Sequence, residues 1–127
     1  MDFKKINRPE YNPRYSFFGG ANLGNGVQLG IYGNWRGMSS SEGKKRMKEK
    51  FGRANKIESG DGKVTWEYYF THWETPGIIY TVYDYKGGLS CGLGIPNDVY
   101  GNIEPRFAEK VNALLTELTD YAFGRAL

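Results

Sequence analysis

The sequence has one cysteine, Cys91, and one histidine, His72, among its 127 residues. A lone thiol excludes an intramolecular disulfide framework, and one thiol with one imidazole cannot supply a three- or four-ligand zinc site without added carboxylates. Apolar runs are short. Nothing approaches the ~18 residues of a membrane-spanning helix, and the opening MDFKKINRPEYNPRY lacks the apolar centre of a secretory leader. These absences fit a reducing compartment, and a cytoplasmic location is expected, with no membrane partner. Excess charge of one sign is also small. Seventeen Lys and Arg against 14 Asp and Glu give +3, which favours anionic partners mildly and falls far short of a dedicated duplex-DNA binder. Neither G-x-x-x-x-G-K-[ST] nor G-x-G-x-x-G occurs, and Gly24-Asn25-Gly26 with Gly30 has the spacing of turns. Catalytic patterns are missing as well. Nothing in the sequence brings Cys91 and His72 together as a nucleophile pair, and Glu67, Asp84 and Glu104 stand at no spacing that selects an acid–base pair. The expectation is a protein that is not an enzyme and uses neither cofactor nor metal.

Aromatic residues are what the chain has in quantity: ten Tyr, seven Phe and three Trp make up 16% of it, within a hydrophobic fraction of 39%. That is enough to close one core without a staple, and residues 1–127 read as one domain. Residues 1–14 carry Pro9 and Pro13 and show no period, so they read as an extended arm. Glycine punctuates the text from Tyr15 to Gly37, which predicts strands near Tyr15–Phe18 and Val27–Trp35 joined by a turn at Gly24-Asn25-Gly26. Ser39-Ser40-Ser41-Glu42 has capping-box spacing and opens a helix. Met47 and Phe51 form its apolar stripe, and Gly52 is its cap.

KVTWEYYFTHW alternates with period two, placing Val64, Trp66, Tyr68 and Phe70 on one face, and it pairs with IIYTVYDYK as an antiparallel hairpin at the sheet's centre. Asp84 falls on an otherwise apolar face and needs a partner such as Lys63, Arg53 or a backbone amide. GGLSCGLGIPNDVYGN, residues Gly87–Asn102, reads as a long loop with room for one short strand. Pro105 then opens a long amphipathic helix through Phe107, Val111, Leu114, Leu115, Leu118 and Ala122. The order predicts an α+β domain with a mainly antiparallel sheet of four to five strands and two helices.

Two helices cover only one face of such a sheet, so rings on the other must meet solvent, a second subunit or a ligand. Rings, arginines and glycine-rich backbone together are the chemistry that nucleotides require. Trp35-Arg36 follows a glycine-rich strand, and the hairpin supplies Tyr80 and Tyr83. The basic set Lys44, Lys45, Arg46, Lys48, Lys50, Arg53 and Lys56 attracts phosphate or is simply a solvated helix face.

FGRANKIESGDGKVTWEYYF followed by IIYTVYDYK, within Phe51 to Lys86, resembles small accessory proteins of tailed phages and prophages. Some proteins of that kind are similar to the anti-Thoeris sequestering proteins, which trap cyclic nucleotide-like immune signals without cleaving them. The resemblance implies an anti-defence protein in the cytoplasm of a bacterial host. It would be a homo-oligomer that closes helix-end arginines and sheet aromatics around a cyclic nucleotide or cyclic ADP-ribose-like ligand. Arg53 and Arg106 are then the phosphate partners, the latter at a helix N-terminus. Trp35, Tyr80 and Tyr83 are the stacking residues, with Arg36 beside them. A single-stranded nucleic-acid binder, and an inhibitor or immunity protein acting on another protein, are the alternative readings.

Overall fold

A computed structural model describes residues 2–9, 14–22, 28–30, 40–57, 61–100 and 102–124. The main sheet is antiparallel, ordered β1 (Phe3–Ile6), β6 (Trp66–His72), β7 (Ile79–Tyr85), β8 (Gly88–Pro96) and β2 (Tyr15–Phe18), with β5 (Asn55–Lys56) also paired to β6. A separate hairpin joins β3 (Gly20–Asn22) to β4 (Gln28–Gly30). The helices are α1 (Ser40–Phe51), a single turn α2 (Asn97–Tyr100) and α3 (Pro105–Ala122). This is the expected α+β class with the β6–β7 pair at the sheet's centre, and the two longer helices lie on one side.

Alternation drives that one-sidedness. On the covered face Trp66, Tyr68 and Phe70 of β6 and Tyr80 and Val82 of β7 are buried, as are Leu89, Cys91, Leu93 and Ile95 of β8. Against them α3 sets Ala108, Val111, Leu114, Leu115, Leu118 and Ala122, and α1 sets Met47. Burying such aliphatic and aromatic side chains contributes about 1.5–3 kcal/mol each. Gly43 lets α1 approach the sheet closely, since a Cβ there would lie 2.4 Å from a Leu89 methyl carbon. Gly52, at φ +84°, ends α1 in the left-handed region and donates its N–H to Lys48 at 2.9 Å, as a helix cap does. Asp84 accepts the Thr65 and Trp66 amides at 2.7 and 3.1 Å and the Thr65 hydroxyl at 2.6 Å, so backbone amides are the partner it required.

Three expectations are corrected. Residues 3–6 are a strand rather than part of an arm, because Phe3 anchors them edge-on against His72 and Tyr80, with ring centroids at 5.0 and 5.2 Å. Tyr15–Phe18 is a strand, but it pairs with β8, and the partner of β4 is Gly20–Asn22. Most of the Gly87–Asn102 loop is the nine-residue strand β8 followed by α2. Leu89, Cys91, Leu93 and Ile95 alternate with Ser90, Gly92 and Gly94 along that strand, and the glycines hid a period-two signal that packing on α3 rewards. Ser39 and the Gly24-Asn25-Gly26 turn lie outside the described residues.

Candidate functional site

The sheet's second face carries no described helix, and its register arranges the side chains in rows. Asn55, Glu67, Tyr83 and Ser90 stand opposite one another across β5, β6, β7 and β8. The next row is Ile6, Tyr69, Thr81 and Gly92, and the one after is Lys4, Thr71, Ile79, Gly94 and Phe17. Glycine at two successive outward positions of β8 leaves a depression between taller neighbours. It has a volume of about 200 Å³ and is bounded by Phe17, Phe18, Val64, Glu67, Tyr69, Thr81 and Tyr83, with Gly92 as its floor.

Local packing fixes this shape. The Phe17 ring lies over Gly94, where a Cβ would come 2.4 Å from a ring carbon. It meets Tyr69 edge-on at 6.3 Å and stacks on Tyr15 at 6.3 Å, yet remains 50% exposed. At Gly92 a Cβ would lie 2.9 Å from the Phe18 carbonyl oxygen and 3.2 Å from the Thr81 hydroxyl, so no side chain fits the floor.

One polar group on the rim is unsatisfied. Glu67 Oε2 is buried with no hydrogen-bond partner among the described residues, and so is Nδ2 of Asn55, its neighbour across the strand pair. Burial raises the Glu67 carboxyl above the usual carboxylate range; Arg8 opposes that shift and Asp84 adds to it. Burial likewise raises the Tyr83 hydroxyl, with Cys91, Tyr85 and Glu67 adding to it, so the phenol remains a neutral donor at physiological pH. A buried acceptor left open beside aromatic walls suits a flat polar ring.

The residues singled out from sequence do not converge. Tyr83 lies on this rim. Tyr80, one residue before Thr81, has the opposite parity and is fully buried beneath α3, its hydroxyl 2.8 Å from Thr75 Oγ1 and pushed up to about 12 by burial. It is a core residue, not a stacking one. Arg53 is exposed just after α1, on the helix side of the sheet. Arg106 is exposed at the start of α3. Trp35 and Arg36 lie outside the described residues. Cys91 and His72 are both buried but far apart along the sheet; Cys91 lies level with Val82 and Tyr68, and burial pushes its thiol to about 12. His72 Nδ1 accepts the Glu74 amide at 3.1 Å.

Phe17, Glu67, Tyr69, Thr81 and Gly92 were not singled out for this role, although the period-two reading of β6 had already placed Glu67 and Tyr69 away from the core. Among the described residues no three His, Cys, Asp or Glu side chains are grouped to hold a metal ion, and no helix is long and apolar enough to cross a membrane. No protein-family model, curated protein or solved structure matches the chain.

Proposed function

We propose that the protein is a non-enzymatic binder that sequesters a nucleotide-class ligand, a cyclic nucleotide or cyclic ADP-ribose-like signal, with the ligand's base in the open-face depression. The observation that carries this reading is the glycine floor between Phe17, Tyr69 and Tyr83, closed at one rim by Glu67, whose buried Oε2 has no hydrogen-bond partner among the described residues. A base ring would lie over Gly92 and offer an N–H to Glu67. At about 200 Å³ the depression is smaller than the ~300–1,000 Å³ of sites that enclose a whole ligand. One chain therefore holds one ring, and a second copy laid over the exposed Phe17 and Tyr85 would cover the rest. The resemblance of Phe51–Lys86 to small accessory proteins of tailed phages, some of which are similar to signal-sequestering proteins, implies the same role in a bacterial cytoplasm.

The test is thermal stabilisation against cyclic di- and trinucleotides, cyclic ADP-ribose isomers and short single-stranded oligonucleotides. A ligand at a hundred times its Kd adds about 2.7 kcal/mol to stability, a shift of several degrees. The expected result is a shift for one cyclic compound that Tyr83→Ala and Glu67→Gln abolish, with the ligand recovered chemically intact. No shift with any cyclic compound sinks the proposal. A shift only with oligonucleotides, falling steeply with salt, would make the exposed Phe17 and Tyr85 a stacking platform for a single strand.

A further inference from the structure

On the helix side of the sheet a second concavity, of about 410 Å³, runs between α1 and the β5–β6 pair. Lys44, Lys48, Arg53 and Lys56 line it above a floor that includes Thr65 and Trp66, and no acidic side chain lines it. We infer that this groove is a binding site for a compact polyanion bearing two or more adjacent phosphoryl groups, independent of the ring site on the opposite face.

None of the four cations has an acidic side chain within 4.0 Å among the described residues, whereas Lys63 pairs with Asp61 at 3.7 Å and Lys110 with Glu74 at 3.0 Å. The sequence of α1 makes this a property of the helix face. Lys44 and Lys48 are one turn apart, and no acid stands three or four residues from either. Like charges at that spacing repel, so the face is less stable than the same helix with a glutamate at one position. Asp84 bonds Thr65 and Trp66 but engages both carboxylate oxygens in doing so.

The corner that presents Arg53 is fixed in advance. Tyr68 Oη donates to the Gly52 carbonyl at 2.6 Å, and Lys5 Nζ donates to the carbonyl of Arg53 itself. Gly52 at φ +84° makes the turn between them and α1. Two anchored carbonyls in succession fix the backbone that presents the arginine beside the lysines. A forked guanidinium with three ammonium groups around one concavity concentrates positive potential at a point rather than along a track. That arrangement selects dense, compact negative charge of the polyphosphate kind over a single phosphate.

The probe is inorganic tripolyphosphate, titrated into the nitrogen-labelled full chain at physiological ionic strength, with orthophosphate and an oligothymidylate in parallel. Tripolyphosphate is expected to bind more tightly than orthophosphate and to shift the amide signals of Gly52, Arg53 and Lys56. Lys48→Ala and Arg53→Ala should each weaken it by about tenfold. Lys45→Ala, on α1 but outside the groove, should not. These are solvent-facing substitutions, and far-ultraviolet dichroism confirms that each variant is folded. No tripolyphosphate binding, or equal weakening by Lys45→Ala and Lys48→Ala, overturns the site. Binding of the oligothymidylate without tripolyphosphate also overturns it, in favour of a track for a nucleic-acid strand.

Discussion

Glu67 shows most directly how a single residue can work against the fold that holds it. Its carboxyl is raised mainly by burial, so the folded chain holds that proton more tightly than the unfolded chain does. For an acid displaced upward, the penalty is complete above the folded value, fades as pH falls towards the unfolded one, and is absent below both. Glu67→Gln should therefore melt at a higher temperature than the parent at neutral pH, and the gap should close as pH falls to about 4.5, the carboxyl's ordinary value. A gap independent of pH would show that the buried charge of Glu67 is not the cause. Gly43 makes the opposite point. Alanine there gains helix propensity of up to ~1 kcal/mol. It also drives a methyl into Leu89, which is fully buried and has no room to retreat. Overpacking of about 1–3 kcal/mol should win, so Gly43→Ala is expected to lower the denaturation midpoint, and adding Leu89→Val should recover part of the loss.

Elements with side chains at every position declared themselves. The alternation from Trp66 to Phe70 and the helical stripe from Phe107 to Ala122 each point one way, and both formed as read, whereas Val64, expected on the same face as Trp66, precedes β6 and borders the open-face depression instead. β8 did not declare itself, because three of its nine residues are glycine, and its residues are held by pairing on both sides with β7 and β2 rather than by their own propensity. β1 was hidden for a related reason: only Phe3 faces the core there, and Lys4, Lys5 and Ile6 have no pattern until β6 lies beside them. The turn from β7 to β8 carries its own strain. Lys86 at φ 51° and Gly87 at φ 82° form a two-residue reversal with both central residues left-handed, a geometry that favours asparagine over lysine at the first position. Lys86→Asn should stabilise the hairpin by about 0.5–1 kcal/mol, and a lowered melting temperature would count against that reading of the turn.

Across the whole molecule the sheet separates the open-face depression from the cationic groove. The resemblance gathered Arg53, a helix-end arginine, with Tyr80 and Tyr83 of the hairpin into one site. Parity sends Tyr80 into the core and Tyr83 to the open face, and the end of α1 leaves Arg53 on the helix side. The rings and the cations were thus legible as types. Which of them face each other was not, since that depends on strand order and on which face the helices cover. The two tryptophans described also divide by exposure: Trp66, in the floor of the basic groove, is 4% exposed, while Trp73, at the turn after β6, is 72% exposed. Intrinsic fluorescence should accordingly be heterogeneous, with a blue-shifted component from Trp66 and a red-edge, readily quenched one from Trp73. Replacing Trp35 and Trp73 together with phenylalanine leaves Trp66 as a built-in optical probe of the cationic groove.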